Sequence, residues 1–202
     1  GNTAIDALLL TKKRIERDGF PPQAKELIKW VGNRKLVLTT AHRRESFGTA
    51  FECICEGIFR LIDEEDDRCA ILPVHPNPNV RSVIERTLAK HPRIRLTPPL
   101  EYTTFVALMM RASLLLTDSG GVQEEGPSFK KPILVLRKTS ERPEGIRKGF
   151  AKLVGVDPAK ILREGNLALR KNLRITGRNP YGDGKASHRI ISFLEKKLNR
   201  SK

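Results

Sequence analysis

Long apolar runs are missing from this chain: nowhere in its 202 residues is there the stretch of about 18 that a membrane-crossing helix needs, which excludes such a span. Nor does the start, Gly1-Asn2-Thr3-Ala4, have the charged region and cleavage pattern of a signal peptide. It also lacks an initiator Met, so a fragment or a processed chain is expected. Cysteine is scarce. Cys53, Cys55 and Cys69 show no metal-ligand spacing, and on a helix the first two point about 200° apart. Reduced thiols in a cytoplasmic protein are the expectation. Aromatic residues make up only 5% and do not interleave with basic ones, unlike a stacking surface for single-stranded nucleic acid. Acidic residues are outnumbered, 23 against 38 Lys and Arg, for a net charge of +15. That excess fits nucleic acid, an anionic small substrate, or the unbalanced half of a larger protein. The basic residues are dispersed, with Lys12-Lys13-Arg14 the longest uninterrupted run. Short, scattered clusters suit a solvated face better than a nucleic-acid tail, so no nucleic-acid partner is expected.

What the chain does have is alternation. Its length supports one domain or a large half of a two-domain protein. Strands are predicted at 35–40, 69–72, 94–96, 112–116, 133–136 and 151–154. Phe51, Ile54, Cys55, Ile58, Leu61 and Ile62 recur at helical spacing. Further helices are predicted from a capping box at Thr3–Asp6 to about Arg17, over 25–31, after Asn79, around Phe105–Met109, from Asp157-Pro158, and from about Ala186 to Leu198. Strand–helix alternation with short connections predicts a doubly wound, Rossmann-like α/β domain with a parallel sheet covered on both faces.

Ligands in such sheets sit beyond the carboxyl ends of the strands. The most informative stretch lies there: Thr117-Asp118-Ser119-Gly120-Gly121-Val122-Gln123-Glu124-Glu125, between an apolar strand and residues able to start a helix. Small residues let the backbone approach a phosphate, and the partial positive end of the helix favours the anion. One turn on, Glu124 or Glu125 can accept hydrogen bonds from sugar or ribose hydroxyls. The plain alternative is a strand–helix turn with solvated acids, since a glycine-rich turn alone is weak evidence. Other strand ends add His42-Arg43-Arg44 and His75, with Arg137 and Arg142 after the fifth strand. A lone histidine is usually structural. Two at equivalent strand ends beside cations instead suggest a bound diphosphate, to which a histidine can donate a proton.

His42-Arg43-Arg44-Glu45-Ser46, His75-Pro76-Asn77-Pro78-Asn79-Val80, Asp118–Glu125, Glu141-Arg142-Pro143-Glu144 and Asn179-Pro180-Tyr181-Gly182-Asp183-Gly184 occur in one order and spacing. Together they resemble the C-terminal half of bacterial- and archaeal-type non-hydrolysing UDP-N-acetylglucosamine 2-epimerases, over nearly the whole chain. The resemblance implies one half, residues 1–202, of a two-domain, glycosyltransferase-B-like architecture whose N-terminal domain is not in this chain. It implies that Ser119, Gly120 and Gly121 contact the diphosphate, that Glu125 binds the ribose, and that Phe105 packs near uracil. Without the resemblance Phe105 reads as core. Arg142 matches a nucleotide-sugar arginine, although it also reads as a loop residue paired with Glu141 or Glu144. His42 matches a catalytic histidine beside the diphosphate. Arg43 and His75 match positions that bind an activating second substrate molecule. Leu100 departs from the glutamine found in the uridine pocket of some members.

The implied reaction interconverts UDP-N-acetylglucosamine and UDP-N-acetylmannosamine for polysaccharide precursors, with no cofactor and no metal. UDP is eliminated and re-added, and the catalytic carboxylates belong to the absent domain. The chain alone is therefore expected to bind UDP without turnover, and the full-length enzyme to be a cytoplasmic homodimer. A glycosyltransferase domain and a non-catalytic nucleotide-binding module remain the alternatives.

Overall fold

The computed structural model describes residues 1–41, 48–74, 77–170 and 175–199. Among them, β1 (Lys35–Thr40), β2 (Arg68–Pro73), β3 (Ile94–Thr97), β4 (Leu114–Thr117), β5 (Ile133–Val135) and β6 (Ala151–Leu153) form one parallel sheet ordered β3-β2-β1-β4-β5-β6. The expected strands fall on these with small shifts. The fourth starts late because Ala112 still closes the preceding helix, its N–H donating to the Leu108 carbonyl at 2.8 Å.

Side chains alternate along each strand, and in β1, β2, β4 and β5 both faces are buried, whereas the edge strands β3 and β6 expose Arg95 and Lys152. Val37, Ala70, Leu72, Leu114, Leu116 and Leu134 join one core with α3 (Thr49–Asp63), α4 (Pro78–Thr87) and α8 (Pro158–Arg170). Leu36, Leu38, Cys69, Ile71, Leu115, Ile133 and Val135 join the other, with α1 (Thr3–Asp18), α2 (Pro22–Val31) and α5 (Tyr102–Arg111). Each buried Val, Leu or Ile among them contributes about 1.5–3 kcal/mol relative to exposure. Two-sided burial is why the inner strands read as continuous apolar runs.

Three details differ from expectation. Thr3 does not cap α1. Asn2 occupies the N-cap with extended backbone and makes no capping bond. Asp6, expected to complete that box, is buried and serves α9 (Ala186–Asn199) instead, accepting the N–H groups of Ala186 at 3.2 Å and Ser187 at 3.1 Å. Those amides are among the donors a helix start leaves without intrahelical partners. A short helix absent from the sequence reading, α7 (Pro143–Arg147), follows β5. By contrast Asp157 caps α8 as expected, accepting the Ala159 N–H at 2.9 Å.

Candidate functional site

The strand order reverses between β1 and β4, where connections leave to opposite faces and open a crevice. Thr40 and Thr117 are register partners there, with hydroxyl oxygens 2.6 Å apart. The Asp118 N–H donates to the Thr40 carbonyl at 3.1 Å, and the Ser119 N–H to the Thr117 hydroxyl at 2.9 Å. The two strands thus hold the turn from beneath.

Ser119 is the N-cap of α6 (Gly120–Glu125), extended in backbone and making no capping bond with its side chain. Gly120 is buried and Gly121 exposed. After α6 the chain tightens into a 3₁₀ turn over Gly126–Phe129. The chain passes close to the sheet at the start of this turn: a Cβ on Gly126 would lie 2.7 Å from the terminal methyl groups of Leu115 and Ile133, which would have to shift. This close approach seats α6 directly on the sheet at the switch point.

The two adjacent acids of α6, equivalent by position and distinguished only by the resemblance, have separate surroundings. Glu124 is buried. One carboxylate oxygen accepts the Asn2 amide at 2.7 Å and the other accepts Nε of Arg142. Glu124 is therefore committed internally. Glu125 is half-buried and accepts the Tyr102 hydroxyl at 2.9 Å. Burial pushes its carboxyl up from the ordinary range, a rise that Tyr102 opposes and Glu124 reinforces. Burial and Glu125 likewise push the Tyr102 hydroxyl up, so it remains a donor. One turn along α5, Phe105 is half-buried and packs against the second core, as does Leu100.

Arg142 is the N-cap of α7. Its guanidinium meets neither of the carboxylates suggested by its neighbours. It takes Glu124 through Nε and the Glu141 backbone carbonyl through Nη1 at 3.1 Å, while the Glu141 carboxylate receives Arg137 at 2.9 and 3.0 Å. A polar chain ties this loop to the turn. The Arg142 N–H donates to the Ser140 hydroxyl at 3.0 Å, Ser140 to the Gln123 side chain at 2.5 Å, and Gln123 to the Ser119 carbonyl at 3.2 Å.

The Asn179–Gly184 segment braces the same place. The Tyr181 hydroxyl donates to the Arg142 carbonyl at 2.9 Å and accepts the Gly145 N–H at 2.8 Å. A Cβ on Gly145 would stand 2.8 Å from that hydroxyl, so glycine is needed for the approach. Asn179 donates to the Glu124 carbonyl at 2.8 Å and to Ser128 at 2.7 Å.

Ser119 and Arg142 are thus linked through Gln123 and Ser140, Gly120, Gly121 and Glu125 belong to the same short helix, and Glu125 is bonded to Tyr102 at the start of α5, on which Phe105 lies. His42, Arg43 and His75 lie outside the described residues. The sequence does not mark Tyr102, Gln123, Ser140 or Tyr181 individually. The local signal available was weak: Tyr102 precedes Phe105 by less than one helical turn, and Tyr181 lies in the closing motif. A cavity of about 370 Å³ opens at the ends of β2 and β3, lined by Val74, Arg81, Ile84, Leu96, Thr97 and Pro98 among others. A cleft of about 530 Å³ borders β6 and α8 and is lined by none of the turn residues. Among the described residues no group of three His, Cys, Asp or Glu is placed to hold a metal ion.

Comparison with known proteins shows the family. The family model described as UDP-N-acetylglucosamine 2-epimerase matches residues 1–195. A probable UDP-N-acetylglucosamine 2-epimerase of Ralstonia nicotianae is 46% identical over 96% of this chain and 54% of its own length. The UDP-N-acetylglucosamine 2-epimerase of Bacillus subtilis is 42% identical, over 96% of this chain and 50% of its own. The crystal structure of the Neisseria meningitidis UDP-GlcNAc 2-epimerase bound to UDP-GlcNAc superposes with a TM-score of 0.91 at 37% identity, covering 97% of this chain and 54% of that one. The chain spans about half the length of the relatives it matches. With its doubly wound sheet and nearly all its described elements inside the match over residues 1–195, the chain belongs to the UDP-N-acetylglucosamine 2-epimerase family.

Proposed function

We propose that this chain is the nucleotide-binding C-terminal domain, residues 1–202, of a two-domain enzyme that interconverts UDP-N-acetylglucosamine and UDP-N-acetylmannosamine. The observation that carries the reading is the family match across residues 1–195, joined to a solved relative of TM-score 0.91 that is bound to UDP-GlcNAc. In this reading the backbone of Ser119, Gly120 and Gly121 receives the diphosphate at the switch point. The Glu125 carboxylate accepts the ribose hydroxyls, Phe105 flanks the uracil, and Arg142 adds a cation on the far side. His42 stands at the diphosphate, and Arg43 and His75 hold an activating second substrate molecule.

The reaction removes the proton at C2 of the sugar while the C1–O bond to UDP breaks, leaving a glycal. UDP then returns to C1 as C2 takes a proton on the opposite face. Elimination needs a base at C2 and stabilisation of the departing diphosphate. This chain supplies the second, with His42 as stabiliser or proton donor. The base belongs to the other half of the enzyme. The exposed apolar face of α9, with Ile191 at 54% and Phe193 at 60% exposure, supports a further domain resting on this one. No helix of the described residues is long and apolar enough to cross a membrane. The reading for the whole enzyme is a cytoplasmic homodimer.

The test is binding and turnover with and without a matching N-terminal half. The chain alone should bind UDP by calorimetry and show no epimerisation, because losing a positioned acid–base group costs about 10²–10⁴ in rate and losing orientation costs more. The reconstituted pair should epimerise, with solvent deuterium entering C2. Full activity from the isolated chain would overturn the half-enzyme reading. An inert pair despite tight docking would overturn the catalytic one.

A further inference from the structure

We infer that Glu124 is a positioning residue for nucleotide binding, acting through Arg142. The inference rests on the proposed role of Arg142 and extends it to the buried carboxylate that holds its guanidinium. An arginine side chain is long and flexible, and its planar fork is useful at a diphosphate only when aimed. Here Nε is taken by Glu124 and Nη1 by the Glu141 carbonyl at 3.1 Å, which orients the plane of the guanidinium. Glu124 is itself held. Asn2 donates to its other oxygen at 2.7 Å, and Asn179 donates to its backbone carbonyl at 2.8 Å. The Glu124 side chain is 11% exposed and that of Arg142 35%, so the anchor is internal and the arginine reaches the surface. Consecutive residues on a helix point about 100° apart. One short helix therefore presents Glu125 to the ribose side and holds the arginine with Glu124.

Charge and positioning predict opposite signs. A carboxylate beside an anion site repels the anion, so neutralising it strengthens anion binding if charge alone matters. Loss of positioning weakens binding. The Glu124→Gln variant leaves a single oxygen for two donors, Asn2 and the Arg142 guanidinium, that had one each. We expect it to weaken UDP binding by about tenfold, within the range for groups coupled in one network, despite the loss of one negative charge.

The experiment is a double-mutant cycle of Glu124→Gln and Arg142→Ala, read by UDP calorimetry on variants shown by thermal unfolding to be folded. In the Arg142→Ala background, Glu124→Gln should cause no further loss. Unchanged or tighter UDP binding by Glu124→Gln alone overturns the inference. So does a loss that persists undiminished without Arg142, which would mark Glu124 as acting on the ligand or the fold directly. Wild-type UDP affinity in Arg142→Ala overturns the role of Arg142 and, distinguishably, this inference with it. If Glu124→Gln does not fold, Glu124→Asp, which keeps the charge but withdraws it by one methylene, enters the same cycle with the same outcomes.

Discussion

At the scale of single residues, the decisive pair is Tyr102 and Glu125. If Glu125 accepts both ribose hydroxyls, Glu125→Ala should weaken UDP binding by about 1.5–3 kcal/mol, the range for hydrogen bonds to a charged group. Calorimetry returning wild-type affinity would remove Glu125 from the site. Tyr102→Phe probes the same carboxylate more gently. Burial already raises the Glu125 pKa, and the Tyr102 hydroxyl at 2.9 Å opposes that rise by stabilising the ionised form. Without the hydroxyl the pKa moves higher still. Since an ionised Glu125 is the better acceptor, UDP affinity should fall as pH drops through that pKa, and should begin to fall at a higher pH in Tyr102→Phe than in the wild type. Superimposable profiles of affinity against pH would show that Glu125 ionisation is not part of binding.

At the scale of elements, α9 depends on a residue of α1. Asp6 accepts the N–H groups of Ala186 and Ser187, a cap supplied 180 residues away in sequence. Losing a side-chain cap costs about 0.5–2 kcal/mol. Asp6→Ala should therefore lower the denaturant midpoint and speed hydrogen exchange at Ala186 and Ser187, while leaving UDP affinity unchanged. Unaltered exchange at those two amides would mean that the cap contributes nothing to α9. A second feature of this helix is its outer face. Ile190, Ile191, Phe193, Leu194 and Leu198 are between 49% and 69% exposed, a contiguous apolar stripe of the kind that marks an interaction surface. This suits the proposal that another domain completes the enzyme.

For the whole molecule, acid stability turns in part on His91, which follows α4 and precedes β3. The imidazole is buried, with Nδ1 accepting the Arg93 N–H at 3.1 Å and the ring edge-on to Phe59 at 5.0 Å. Burial, then Arg93, pushes its pKa below the ordinary 6.5, against an opposing pull from Asp63. The unfolded chain therefore takes up this proton more readily than the folded one. The stabilisation is present above about pH 6.5 and is lost as pH falls through the depressed folded value. Unfolding midpoints measured between pH 7.5 and 5 should fall more steeply in the wild type than in His91→Gln, which has a side-chain oxygen for the Arg93 N–H but cannot titrate. Parallel curves would assign the acid sensitivity elsewhere.

Much of this protein is determined by sequence alone. The four inner strands are legible because a strand buried on both faces must be apolar at consecutive positions, as in 36–38 and 114–116, while the edge strands show as alternation around Arg95 and Lys152. The turn at 117–125 is legible because small residues between a strand and a helix are a local requirement of close backbone approach. What tertiary structure alone decided is which polar group serves which. Adjacent acids look alike in sequence, yet Glu124 is enclosed by Asn2, 122 positions away, and by Arg142, 18 positions away, while Glu125 faces outward with Tyr102. Asp6 looked like part of its own helix's cap and serves α9 instead. Backbone periodicity is set by neighbours a few residues apart and is written locally. A buried carboxylate must be paired wherever the folded chain brings a donor, and that choice is made by the order of strands in the sheet and the crossovers between them.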